Sequence, residues 1–173
     1  MTFKMLGAVL IVFSSWVTGF IFSMNSRYRL DDLEELKKAV TLFINDAVNI
    51  SMPLGSVFED ISKRINGSMS KIFYDASVIA EKKAEKNAED IFKKAIDINS
   101  KSLYFQWDDM ELLYTFAKNL DCPFKNQQKD NALLLIDNIK AIEDEVRQKS
   151  QKERKLYNSA GVLCGILISV ILF

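Results

Sequence analysis

Residues 125–155 read KNQQKDNALLLIDNIKAIEDEVRQKSQKERK, and this stretch decides the fold class. Ala132, Leu135, Ile139, Ile142 and Val146 recur at steps of three and four, the spacing of one helix face. No glycine or proline interrupts the run, and neither separates it from the uncharged segment Leu156–Phe173 that follows at once. At 1.5 Å per residue the pattern predicts one helix of about 48 residues, about 72 Å long.

The same periodicity extends upstream. Leu33, Leu36, Val40, Phe43 and Ala47 form one apolar stripe. Val57, Ile61 and Ile65 form a second, Met69, Ile72, Ala76 and Ile79 a third, and Ala88, Ile91, Ala95 and Ile98 a fourth. Leu112, Phe116 and Leu120 give the fifth. The breakers fall between stripes. Pro53, just inside a helix start with Ser51 as cap, opens the second, Gly67 closes it, and Cys122-Pro123 ends the fifth. Asn87 is a possible cap for the fourth, and Asp108 with Glu111 resembles a capping box opening the fifth. Between Arg27 and Lys155 only Gly55, Gly67, Pro53 and Pro123 occur, too few turn residues for a sheet domain. The expectation is all-α, a helical bundle of about six helices. Phe73, Tyr74, Phe92, Phe105, Trp107, Tyr114 and Phe116 are expected mostly in its core.

The two ends differ from this middle. Leu6–Met24 is nineteen residues without a charge. As a helix it would rise about 28 Å, against a hydrocarbon core of about 30 Å. Leu156–Phe173 would rise about 27 Å. The expected organisation is a transmembrane anchor over 1–26, a helical domain over 27–155 and a second transmembrane helix over 156–173, with the last helix running on into the membrane. A rival reading makes the first run a cleaved signal peptide, with Lys4 at its charged start and Val17-Thr18-Gly19 as cleavage site. Arg27 and Arg29, with Arg147, Lys149, Lys152, Arg154 and Lys155, flank the middle domain and place it in the cytoplasm by the positive-inside rule. Ser15 with Gly19, and Gly161 with Gly165, are small pairs four apart and are candidate helix-packing positions in lipid.

Charge and composition exclude several function classes. The middle carries 22 basic residues against 23 acidic, which offers no field for nucleic acid and no polybasic patch for anionic lipid. The chain has no histidine, so the commonest zinc ligand and the side chain best suited to proton transfer near neutral pH are both missing. Cys122 and Cys164 are not placed to pair. No nucleotide-binding glycine loop, CxxC or HExxH occurs. Asp108, Asp109 and Glu111 could in principle hold a metal, which would make a membrane-bound Mg²⁺ enzyme the rival function, but the helix-cap reading serves them better. Glu143-Asp144-Glu145 reads as a solvated helix face able to pair with Lys140, Arg147 and Lys149. No cofactor, metal or small-molecule substrate is expected. Tyr104, Phe105 and Trp107 precede a helix, where one could stand exposed as an anchor for a partner. Trp107 and Asp109 are the candidate partner contacts.

Several segments resemble one family. Leu6–Ser15 with Gly19-Phe20 is similar to the N-terminal anchor of stage III sporulation protein AB. Lys155–Ile168 resembles its closing K-x-Y-x-x-L-G-V-L-x-G pattern. Met52-Pro53-Leu54, with Phe58 and Ile61, resembles its T-P-L-x-E-A helix start. Trp107–Leu113, then Phe116, Leu120 and Gln127, follows its fifth-helix and loop pattern. Two stretches depart from it. Leu42–Ala47 stands where an acidic L-E-T-E-I stretch is expected, and Leu120–Phe124 where the family has L-G-x-S-D. The resemblance implies a non-enzymatic assembly component of the secretion-like channel complex between mother cell and forespore. It would sit in the outer forespore membrane with its domain in the mother-cell cytoplasm. The implied fold is similar to the cytoplasmic domain of type II secretion and type IV pilus platform proteins. The implied partners are a secretion-type ATPase (stage III sporulation protein AA-like) and other stage III channel proteins. The alternative is a general membrane scaffold of a secretion or pilus-like machine outside sporulation.

Overall fold

The structure, a computed structural model, describes residues 24–50, 52–82 and 87–172, with the side chains of 48, 49 and 153–172 excepted. Among the described residues it is all-α: six α-helices and no strand. Helix α1 spans residues 24–43 and passes into a π-helical segment, Ile44–Asn49. Then come α2 (Leu54–Arg64), α3 (Gly67–Glu81) and α4 (Ala88–Asn99). A 3₁₀ turn, Ser100–Ser102, precedes α5 (Trp107–Leu120). Helix α6 is the 48-residue Lys125–Leu172. The chain divides into two compact units, Arg29–Glu143 and the two flanking ends.

The core of Arg29–Glu143 is aromatic. Helices α1 to α5 each contribute one fully buried phenylalanine: Phe43, Phe58, Phe73, Phe92 and Phe116. Phe92 lies 5.0 Å from Phe73 and 5.1 Å from Phe116, between ring centroids, and 5.7 Å from Phe58. Phe43 meets Phe116 edge-on at 5.2 Å. Tilted and edge-to-face pairs at this spacing set the negative face of one ring against the positive edge of another. Leu33, Leu36, Ile61, Met69, Ile72, Ile96 and Leu113 fill the space around the rings. Helix α6 adds Ala132, Leu135, Ile136 and Ile139.

Four expectations need correcting. The buried face of α4 is Ala88, Phe92, Ala95 and Ile96, whereas Ile98 is exposed. The isoleucine spacing points to one face, but the larger Phe92 sets which face turns inward. Pro53 is the N-cap of α2, one residue before the helix, with its carbonyl accepting the Val57 N–H at 3.0 Å. The capping box of α5 lies two residues earlier than Asp108 and Glu111. Its N-cap is Gln106 and its N3 residue Asp109, which accepts the Gln106 N–H at 2.8 Å. Among the aromatics expected in the core, Tyr74 and Trp107 are exposed.

Chain breaks are satisfied from across the fold. Asn87 occupies the N-cap of α4 but gives no side-chain cap. The carboxylate of Asp121, at the end of α5, accepts the backbone N–H groups of Ala88 and Glu89 at 2.9 and 3.1 Å instead. A carboxylate there also suits the positive end of the helix dipole. Gly67, at φ +65°, makes the turn between α2 and α3.

Among the described residues no helix is long and apolar enough to cross a membrane. The runs Leu6–Met24 and Leu156–Phe173 fall outside the described side chains, save Met24.

Candidate docking surface

Two side chains of α1, three residues apart and so on one face, hold the segment that leads into α5. Asp32 accepts the Tyr104 backbone N–H at 2.9 Å. Arg29 meets Asp109 in a two-pronged pair, Nε to Oδ2 at 2.6 Å and Nη2 to Oδ1 at 2.8 Å. Such a fork fixes both partners in direction as well as distance. The Asp109 side chain is fully buried and that of Arg29 only 13% exposed. A third tie comes from α3, where the Ser68 hydroxyl donates to the Ser102 carbonyl at 2.7 Å. Burial pushes the Asp32 carboxyl above its ordinary 3.8, the Tyr104 N–H opposes this, and the neighbouring charge of Asp31 adds to it.

The segment so held exposes two of its three aromatic side chains, with Phe105 half-buried. Trp107, the first residue of α5, is 85% exposed, and Tyr104 is 47% exposed. Tryptophan gains more than almost any residue from leaving water. Leu112 and Leu113 of the same helix are buried, so the helix does have an inward face that Trp107 does not occupy. Asp108 and Glu111 flank it and are exposed as well. Beside Tyr104, an acidic cleft of about 310 Å³ is lined by Asp31, Asp32, Glu34, Glu35, Asn66 and Gly67. Glu35 is engaged there by the backbone and side-chain N–H groups of Asn66, at 3.0 and 3.2 Å.

The two candidate partner contacts therefore separate. Trp107 stands in solvent. Asp109 does not, because its carboxylate is consumed by Arg29 and Gln106, and its role is corrected to a structural one. No group of acids, cysteines or histidines able to hold a metal occurs among the described residues. Ser15 and Gly19 lie outside the described residues. Gly161 and Gly165 lie on the α6 backbone, beyond the residues whose surroundings are described.

Sequence reasoning missed the long-range pairs. Arg29 and Asp109 are 80 residues apart, Lys37 and Glu143 106 residues apart. The sequence puts Glu143 on a solvated face, but it is buried, and Lys37 of α1 donates to its Oε1 at 2.7 Å. One available signal was its position. Glu143 falls on the stripe of Ile139 and Val146, four and three residues away.

The comparisons with known proteins bear on the same fold. The family model described as stage III sporulation protein AB matches residues 4–173. The chain belongs to the stage III sporulation protein AB family. Stage III sporulation protein AB of Bacillus subtilis (strain 168) is 24% identical to it over 169 residues, 98% of either chain. A solved structure of a stage III sporulation protein AB is similar in fold, with a TM-score of 0.68 and 18% identity. It covers 72% of this chain and 97% of that one. Membership in the stage III sporulation protein AB family ties the chain to sporulation.

Proposed function

We propose that this chain is a non-enzymatic assembly component of the channel complex between mother cell and forespore, anchored in the membrane by its two apolar ends. The observation that carries the proposal is the family match, which runs through both apolar ends as well as the bundle. The bundle would face the mother-cell cytoplasm from the outer forespore membrane. Its exposed helix faces would dock a secretion-type ATPase and other channel subunits, and its spans would fix it in the bilayer. Two features support a scaffolding role. The aromatic core joins five helices into one body, a buried ion pair ties α1 to α5, and a part-buried one ties α1 to α6.

The test is endospore formation in a clean deletion strain of the native host, complemented with the full chain or with residues 27–155 alone. Arrest after engulfment, rescued only by the full chain, is the expected result. Normal heat-resistant spores without any paralogue would sink the sporulation role and leave the general membrane scaffold. Rescue by the fragment would show that the ends are dispensable.

A further inference from the structure

We propose that the outer face of the first turn of α5, formed by Trp107, Asp108 and Glu111, docks an arginine-bearing segment of a protein partner. This rests on the reading of the chain as a docking scaffold and gives that docking a place and a chemistry. Three observations carry it. Trp107 is 85% exposed although α5 buries other apolar side chains. Its backbone is held by the Arg29–Asp109 fork and the Asp32–Tyr104 bond, so the indole is presented from a fixed base. A fixed aromatic loses little freedom on binding and suits a central anchor.

The third observation is charge. Glu111 lies one turn from Trp107 on the same face, and Asp108 is adjacent to it. The acidic cleft of α1 adds negative potential behind Tyr104. Two exposed cations stand near these acids, Lys101 in the 3₁₀ turn and Lys38, which pairs with Glu35 of the cleft at 3.7 Å, and the carboxylates outnumber them, so the surface is net acidic. A guanidinium matches all of this. It stacks on an indole face and its planar fork meets carboxylates two-pronged. The same acids disfavour anionic lipid headgroups, and would repel their own copies in a symmetric dimer.

The experiment places the photoreactive amino acid benzoylphenylalanine at position 107 of the full chain in the sporulating native host. Cross-linked peptides are identified by mass spectrometry. The expected product joins position 107 to another protein within a segment carrying arginine. The double variant Asp108→Lys, Glu111→Lys should lower its yield about tenfold or more. Reversing the captured arginine to Glu should restore it. Separately, Trp107→Ala should weaken the interaction about 30-fold while the protein's thermal midpoint stays at the parent's.

A product with lipid or with a second copy of this chain overturns the proposal. So does capture through an acidic or uncharged segment, a yield indifferent to the two lysines, or no product in a strain that sporulates normally. The deletion strain separates the two levels. If it sporulates normally, the scaffold reading itself fails. If it arrests while chains carrying Trp107→Ala or the two lysines restore spores fully, only this surface assignment fails.

Discussion

At the scale of single residues, the stakes lie in the buried charges. Asp109 has no solvent exposure, and its charge is tolerated because Arg29 and the Gln106 N–H surround it. Removing one member of such a pair strands the other, which costs about 3–5 kcal/mol, far more than the intact pair contributes. Arg29→Met is therefore expected to destabilise the domain by about that amount in denaturant unfolding. Arg29→Met combined with Asp109→Leu should recover much of the loss. Asp32 behaves differently. Burial, the largest influence, raises its carboxyl above 3.8, so the folded state favours the protonated form. The penalty for ionised Asp32 is absent below 3.8, grows as pH rises through the raised value, and is fully present above it. Asn at this position keeps an oxygen for the Tyr104 N–H without the charge. Asp32→Asn should be at least as stable as the parent at pH 7, and its advantage should shrink as pH falls toward 4. Thermal unfolding at both pH values measures this, and an advantage that grows in acid would refute it.

At the scale of elements, the helix boundaries give opposed expectations for two glycines. Gly55 lies in the first turn of α2, where an added Cβ would meet Ala80 Cβ at an ordinary 3.5 Å. Gly55→Ala should stabilise the fold by about 0.5 kcal/mol through lost freedom in the unfolded chain. Gly67 has open space around it but sits at φ +65°. Gly67→Ala should cost about 1–2 kcal/mol in backbone strain alone. Unfolding midpoints of opposite sign would separate conformation from crowding. The cap on α4 makes a third case. Asp121→Ala removes acceptors from two backbone N–H groups and should cost about 1 kcal/mol, although residue 121 is outside the helix it caps. These cases mark what was legible in the sequence. Helix number, order and breakers were legible because apolar spacing and the positions of proline and glycine are local signals. The caps were not, because Asp121 reaches α4 from 32 and 33 residues away. The sequence places the capping box of α5 two residues late because Asp108, Asp109 and Glu111 each offer an acid, and only the Arg29 fork selects among them. Trp107 was legible as a candidate anchor, but which of Tyr104, Phe105 and Trp107 stands exposed was not, since the segment is positioned by long-range ties from Arg29 and Asp32.

At the scale of the whole molecule, the core and the surface should fail in distinguishable ways. Phe92 touches Phe58, Phe73 and Phe116, so it links helices α2 to α5 through one side chain. Phe92→Ala leaves a cavity among rings that cannot easily collapse onto it, at a cost of about 3–5 kcal/mol. Domains of ordinary stability hold about 5–15 kcal/mol in total, so the variant should fold only marginally and be depleted in the cell by proteolysis. Any sporulation defect of Phe92→Ala should then follow protein abundance and be relieved by raised expression or lower temperature. Phe92→Leu, which keeps most of the volume, should be milder on every measure. Trp107→Ala is expected to do the reverse. Its side chain is already in water, so abundance and thermal midpoint should equal the parent's while spore formation falls, and raised expression should compensate only as far as mass action restores the contact. Immunoblots beside heat-resistant spore counts for the three variants make the comparison. If Trp107→Ala proves as depleted as Phe92→Ala, the indole is supporting the fold, and its exposed position must then serve an intramolecular contact rather than a partner.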